Sequence, residues 1–115
     1  MTKRIEQVNV LIKEVVSGIL LRSIQFPASS LVTVTRVSTS PDIHYANVFI
    51  TVFSQKTSDP GEVLKILKHS IGAIQRGLNK SLRMRPVPRI QFLIDKEEMQ
   101  REKIESLLSK TKNTS

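Results

Sequence analysis

Residues 63–82 read V-L-K-I-L-K-H-S-I-G-A-I-Q-R-G-L-N-K-S-L, a pattern that predicts a long amphipathic helix with a break near its middle. Apolar residues recur at every third or fourth position, so they share one helical face. These residues are Val63, Leu67, Ile71, Ile74, Leu78 and Leu82. Gly72 and Gly77 lie inside the pattern, and a glycine in a helix interior costs roughly 1 kcal/mol relative to alanine. We therefore expect a kink at Ser70, Ile71 and Gly72, although a glycine also permits close packing against a sheet.

Another amphipathic helix is predicted at residues 3–24, before this segment. Its apolar stripe consists of Ile5, Val8, Ile12, Val15, Val16 and Ile19. Phe26-Pro27 should end the helix, because the residue before a proline avoids helical geometry. The polar side mixes both charge signs, so we expect the apolar stripe to pack in a protein core and not on a membrane.

Two strands are predicted between the helices, at residues 31–38 and 45–53. The first is rich in the β-branched residues valine and threonine, and the second continues in kind with side chains that alternate between two faces. The intervening Ser40-Pro41-Asp42 has the residues of a turn, so the pair reads as an antiparallel hairpin or a longer-looped version of one.

The remaining boundaries follow from capping residues and prolines. Asp59 is a suitable N-cap, with Pro60 at the first helical position. Residues 85–88, R-P-V-P, should be extended, and residues 89–95 alternate as a third strand. A final helix is predicted at 96–110, followed by a disordered tail at 111–115. The order predicts one α+β domain, with helices on one face of a three-stranded sheet.

Composition excludes several classes of protein. The 115 residues suit a single domain, and the absence of cysteine excludes disulfide scaffolds, thiolate metal sites and cysteine nucleophiles. No apolar run approaches the roughly 20 residues of a membrane span, and we find no pattern of an export signal. We expect a monomer that is cytoplasmic and does not contact membranes.

The net charge of +8 is concentrated in one part of the chain. Residues 63–94 contain no aspartate or glutamate, whereas the flanking regions are nearly neutral. The basic residues of this stretch are Lys65, Lys68, Arg76, Lys80, Arg83, Arg85 and Arg89. Such a run can be an ordinary solvated face. A patch without acidic neighbours repels itself, however, so we favour a surface that binds a polyanion.

RNA phosphates are the partner that these residues suit best. Arg83 and Arg85 follow the predicted end of a helix, and the arginine fork suits phosphate oxygens. The other helical cations would extend the patch, and Arg36 would flank it from the first strand. Base reading should be weak, because aromatic residues make up only 4% of the chain. Phe49, Phe53 and Phe92 are expected in the core, so recognition of RNA shape is favoured over stacking on single strands.

Catalysis is not indicated. Ser38, Ser40, Asp42 and His44 match no nucleophile motif, and turn chemistry accounts for Ser40 and Asp42. His44 and His69, the chain's two histidines, have no cysteine partners for zinc. We therefore expect no catalytic residue, no metal or other cofactor, no small-molecule substrate and no enzymatic activity.

Three stretches resemble the bacterial ribosome-binding factor A family. Residues 37–52 read V-S-T-S-P-D-I-H-Y-A-N-V-F-I-T-V, and residues 82–95 read L-R-M-R-P-V-P-R-I-Q-F-L-I-D. The third is K-I-E-S-L-L at residues 103–108. The resemblance covers nearly the whole chain in the family's order, and the two longer stretches together are fairly specific.

The resemblance implies a KH-like (type II) domain over residues 1–110. In this family a small-x-Gly kink replaces the nucleotide-clamping G-x-x-G loop, and Ser70-Ile71-Gly72 occupies that position. It also implies binding to the free small ribosomal subunit and its rRNA, with a role in late maturation and rRNA processing that matters most in the cold. Two alternatives stay open. One is a generic KH-like RNA-binding module, which is expected to contain a G-x-x-G loop that this sequence lacks. The other is a stress or inhibitory factor that prefers whole ribosomes.

Overall fold

The computed structural model describes residues 3–27, 30–54 and 60–113 of the chain, which form four helices and three strands. The elements are α1 (Lys3–Ser23), β1 (Ser30–Thr39), β2 (Tyr45–Ser54), α2 (Pro60–His69), α3 (Ile71–Ser81), β3 (Arg89–Ile94) and α4 (Lys96–Asn113). The predicted α+β order, with a divided helix between the second and third strands, is confirmed.

The three strands form one sheet in the order β1-β2-β3. β1 and β2 are antiparallel, and their register shifts between Val34 and Arg36, so that Val34 pairs with Ile50 and Arg36 with Phe49. β2 and β3 are parallel. Parallel neighbours need a crossover connection, and α2 and α3 provide it.

The core lies between one face of the sheet and the helices α1, α2 and α3. Alternate side chains of β2 are buried there: Ala46, Val48, Ile50 and Val52. The helices contribute Val8, Ile12, Val16, Leu20, Val63, Leu67, Ile74 and Leu78. Burial of each large aliphatic side chain stabilises the fold by about 1.5–3 kcal/mol relative to exposure. The two predicted apolar stripes therefore meet the sheet, as their spacing requires.

Gly77 allows α1 and α3 to approach each other closely. A Cβ atom built at this position would lie 2.9 Å from Cδ1 of Ile19, closer than carbon atoms pack. Here the glycine serves helix–helix contact, whereas the sequence pattern suggested contact with the sheet.

Several predicted boundaries shift by a few residues. Helix α4 ends at Asn113, so it includes residues 111–113, which the sequence pattern placed in the tail. The connection from α3 to β3 bends at Arg85 and Pro86 and is not extended throughout. The predicted cap Asp59 and residues 114–115 lie outside the described residues. No helix of the described part has the length and apolar character to cross a membrane.

Candidate nucleic-acid interface

Ser70 separates α2 from α3 but does not interrupt the backbone hydrogen bonding. Its N–H donates to the carbonyl of Ile66, and its own carbonyl accepts from Ile74, both at 3.0 Å. Its backbone angles, φ −95° and ψ 3°, depart from helical values. Gly72, two residues later, is exposed. The kink is therefore a local change of conformation that keeps the two helices joined end to end.

Four predicted cations lie on the exposed sides of these helices. Lys65 and Lys68 are exposed on α2, and Arg76 and Lys80 are exposed on α3. Arg76 and Lys80 are four residues apart, so their side chains project from neighbouring turns of one face. The apolar stripe between the cations is buried, which leaves the charged sides free to meet a partner.

Three cations meet at the end of α3. Asn79, Lys80, Leu82, Arg83 and Arg85 line an open groove, which we call the α3 groove. Leu82 is buried, and its extended conformation ends the helix. The side chains of Lys80, Arg83 and Arg85 are all exposed. Arg85 also donates from Nη1 to the carbonyl of Met84 at 2.9 Å, which limits its freedom.

Gln75 fixes the segment that carries these arginines. Its Nε2 donates to the carbonyl of Pro88 at 3.0 Å, and its Oε1 accepts from the N–H of Ile90 at 3.0 Å. Helix α3 is thereby held to the start of β3, and the seven residues from Leu82 to Pro88 are tied at both ends. Sequence reasoning missed this residue. The one local feature that could have indicated it is its long amide side chain, which lies beside the apolar stripe.

Arg36 and Arg89 lie on the opposite face of the sheet. Arg36 pairs in register with Phe49, and Arg89 pairs with Tyr45. Side chains alternate along a strand, and the neighbours Val37 and Ile90 point into the core. The structure thus does not bring Arg36 and Arg89 to the helical cations, and the expectation that Arg36 flanks the helical patch is wrong.

Phe49 also lies on that face, outside the core cluster where it was expected. The guanidinium carbon of Arg36 is 3.7 Å from the centroid of its ring. Phe92, by contrast, is buried in the core as predicted. The difference follows from strand alternation, which puts Phe49 between the buried residues Val48 and Ile50.

Asp95 holds Arg36 in place and begins α4. Its Oδ2 accepts from the hydroxyl of Thr35 at 2.7 Å and lies 3.4 Å from Nε of Arg36, while its Oδ1 accepts from the N–H of Glu98 at 3.1 Å. The Thr35 hydroxyl above all, with help from the Glu98 amide and the Arg36 charge, lowers the pKa of this buried carboxyl. Sequence reasoning placed Asp95 at a strand end, although the Asp95–Glu98 spacing is that of a helix cap.

The side chains of Ser40 and Asp42 form hydrogen bonds within the β1–β2 turn. The Ser40 hydroxyl donates to Oδ1 of Asp42 at 2.6 Å, and the same oxygen accepts from the N–H of His44 at 3.1 Å. The Ser40 hydrogen bond is the main cause of the lowered pKa of Asp42. Among the described residues, no group of three or more histidine, aspartate or glutamate side chains could hold a metal ion.

Comparison with known proteins finds relatives over nearly the whole chain. A family model described as "Ribosome-binding factor A" matches residues 4–108. A protein of that name from Thermodesulfovibrio yellowstonii is 37% identical over 113 residues, which cover 98% of this chain and 94% of the relative. One from Clostridium perfringens is 34% identical over 108 residues, covering 93% of each chain.

Solved structures of the same name share the fold. The crystal structure of ribosome-binding factor A from Thermus thermophilus aligns with a TM-score of 0.67 at 23% identity, covering 78% of this chain and 93% of that one. A model of the Thermus thermophilus protein fitted into a cryo-EM map of its complex with the 30S subunit aligns with a TM-score of 0.62 at 24% identity, covering 74% and 88%.

Proposed function

This chain belongs to the ribosome-binding factor A family, and we propose on that premise that it binds the free small ribosomal subunit through its rRNA. The observation that carries the proposal is the α3 groove, where Lys80, Arg83 and Arg85 converge. Residues 63–94 contain no acidic side chain that could neutralise these cations from within the segment. A phosphate backbone supplies the missing negative charge.

Phosphate contacts would supply most of the affinity. Each lysine or arginine that meets a phosphate releases condensed counterions, which favours binding and makes it depend on salt. The planar forks of Arg83 and Arg85 suit two phosphate oxygens each, and Lys80 adds a point charge beside them. Because Gln75 holds the segment between α3 and β3, less conformational freedom is lost when RNA enters the groove.

The biological role that we propose is assistance in late maturation of the subunit and in processing of its rRNA, in the cytoplasm and most importantly in the cold. Recognition by shape and phosphate position suits this role, because it selects a folded arrangement of RNA without requiring a reaction on the protein. The protein would act as a monomer, and by stabilising one arrangement of the RNA it would shift the population toward that arrangement.

Sedimentation of cell lysate through a sucrose gradient tests this function. We expect the tagged protein to migrate with free small subunits and not with whole ribosomes. A variant with Arg76, Lys80, Arg83 and Arg85 changed to glutamate should stay at the top of the gradient. In the matched control, Lys3, Arg4, Lys13 and Lys96 are changed to glutamate, which lowers the net charge equally on exposed positions elsewhere. Wild-type protein at the top of the gradient in low salt would contradict the proposal.

A further inference from the structure

The sheet face opposite the core carries a group of polar and aromatic side chains. We call this group the open sheet face; it consists of Arg36, Ser38, Tyr45, Asn47, Phe49, Arg89 and Gln91. Helices α1, α2 and α3 pack on the other side. Helix α4 follows β3 directly, and there the Asp95 N–H donates to the Ile50 carbonyl at 2.7 Å. At the other end of this face, Tyr45, Arg89 and Gln91 are exposed.

Arg36 is held as a flat platform on this face. One side of its guanidinium rests 3.7 Å above the Phe49 ring, and Asp95 holds its Nε from the edge. The Arg36 side chain is nevertheless 57% exposed. A guanidinium plane with one side covered and the other exposed is a surface on which a nucleobase can stack.

Tyr45 provides a second aromatic surface. It is 61% exposed, although large aromatic side chains usually bury most of their area. Arg89 lies directly opposite in register, and its N–H donates to the carbonyl of His44 at 2.9 Å, which fixes its backbone. An exposed ring with an adjacent cation matches the aromatic and basic pairs of surfaces that bind unpaired RNA.

An amide pair lies between the two platforms. Nε2 of Gln91 donates to Oδ1 of Asn47 at 2.7 Å, a single bond of the several that each amide can form. The Nδ2 group of Asn47 and the Oε1 acceptor of Gln91 take no part in this bond and can meet a base edge. Side chains on one strand face are spaced about 6.7 Å apart, so Tyr45 and Phe49 are separated by about 13 Å. Sheet surfaces that stack RNA accommodate about two or three bases over such a span.

We propose that the open sheet face binds unpaired RNA, with one base on Arg36, another on Tyr45 and a phosphate near Arg89. A duplex fits this arrangement poorly, because its bases are already stacked on each other. The inference revises the expectation that recognition of RNA shape is favoured over stacking on single strands. It goes beyond the proposed function and does not depend on it, since the α3 groove lies on the other side of the sheet.

Tyr45 itself reports on the proposed contact. It is the single tyrosine, and the chain has no tryptophan, so intrinsic fluorescence excited in the tyrosine band comes from Tyr45 alone. We expect a single-stranded RNA octamer to quench this fluorescence to saturation, whereas a duplex of equal length should not. Free N-acetyltyrosinamide, titrated in parallel, corrects for absorption by the RNA. Binding of the octamer without quenching beyond that correction would overturn the proposal.

Substitutions distinguish the contribution of base stacking to octamer affinity from the contributions of charge and of the α3 groove. Fluorescence anisotropy of a labelled octamer should show about tenfold weaker binding for Tyr45→Thr and for Arg36→Lys, and nearly unchanged binding for Tyr45→Phe. Arg36→Lys keeps the charge beside Asp95, and Leu31→Thr is a control for loss of an exposed apolar side chain on the same face. Equal octamer affinity for Tyr45→Thr and wild type would refute the contact. The same two substitutions can be compared in the variant whose α3 groove cations are changed to glutamate. If Tyr45→Phe and Tyr45→Thr bound the octamer with equal affinity there, the contact would also be refuted.

Discussion

At the scale of single residues, Asp95 connects strand β1 to helix α4. Its carboxylate caps α4 through the Glu98 amide, accepts from Thr35 on β1 and holds the Arg36 guanidinium. Thr35 and Arg36 sit where the β1–β2 register shifts. The bulge thus turns Thr35 and Arg36 toward one carboxylate, so a change at Asp95 should affect both the sheet and the final helix.

Asp95→Asn should destabilise the protein in a pH-dependent way. Because hydrogen bonds to the carboxylate hold its folded-state pKa below the ordinary value of 3.8, the stabilisation is complete above that value. It is lost as the pH falls through the lower folded-state pKa. Asparagine can still cap the helix, so we expect a cost of about 1 kcal/mol at pH 7, the difference between charged and neutral hydrogen bonds.

Urea unfolding of the wild type and Asp95→Asn from pH 7 to pH 2 measures this difference. The two free energies of unfolding should converge at the acid end. Glu97→Gln, at an exposed position in the same helical turn, should change little at any pH. A difference between Asp95→Asn and wild type that stays constant down to pH 2 would show that shape, and not charge, determines the role of Asp95.

At the scale of elements, the crossover from α3 to β3 depends on Gln75. The Ile90 N–H and the Pro88 carbonyl both bond to its side chain. Gln75→Met keeps the length of the side chain but leaves both groups without this partner. We expect a loss of about 1–3 kcal/mol in the free energy of unfolding, together with weaker RNA binding by the α3 groove.

Thermal or urea denaturation and RNA anisotropy measure the two effects of Gln75→Met. Gln100→Met, an equivalent change at an exposed position of α4, is the control for the substitution itself. The Gln75→Glu variant keeps the acceptor for Ile90 and loses the donor to Pro88, so it should fall between wild type and Gln75→Met in stability. Equal stability of Gln75→Met and wild type would mean that the hydrogen bonds of Gln75 do not stabilise the start of β3.

The elements were predictable because their signals are local. Apolar spacing determines the helices, and the small residues at 70 and 72 indicate the kink before any tertiary contact is known. The hydrogen bonds from Ile90 to Gln75 and from Thr35 to Asp95 were not predictable in this way. Their partners lie 15 and 60 residues away and meet only after the sheet has assembled. The same reason applies to Arg36, whose face depends on a register shift in β1 that periodicity does not reveal, whereas the face of Phe49 follows from the regular alternation of β2.

At the scale of the whole molecule, the cations divide between two sides of a slab that measures 55 × 31 × 19 Å. The helical cations and the α3 groove lie on one side, and Arg36 and Arg89 lie on the other. The sequence shows the basic residues of this region as one group. That they lie on two surfaces becomes visible only with the structure, because the alternation of β3 turns Arg89 away from Arg83 and Arg85.

This division predicts how RNA binding by the α3 groove should depend on salt. A plot of log Kd against log salt concentration for a folded rRNA fragment should have a slope that falls by about 0.7–0.9 for each phosphate contact removed. Lys80→Gln, Arg83→Gln and Arg85→Gln should each reduce the slope by that amount. Arg89→Gln should leave it unchanged, because Arg89 faces the other side of the sheet. If Arg89→Gln reduced the slope as much as Arg83→Gln, one folded RNA would be contacting both sides of the slab.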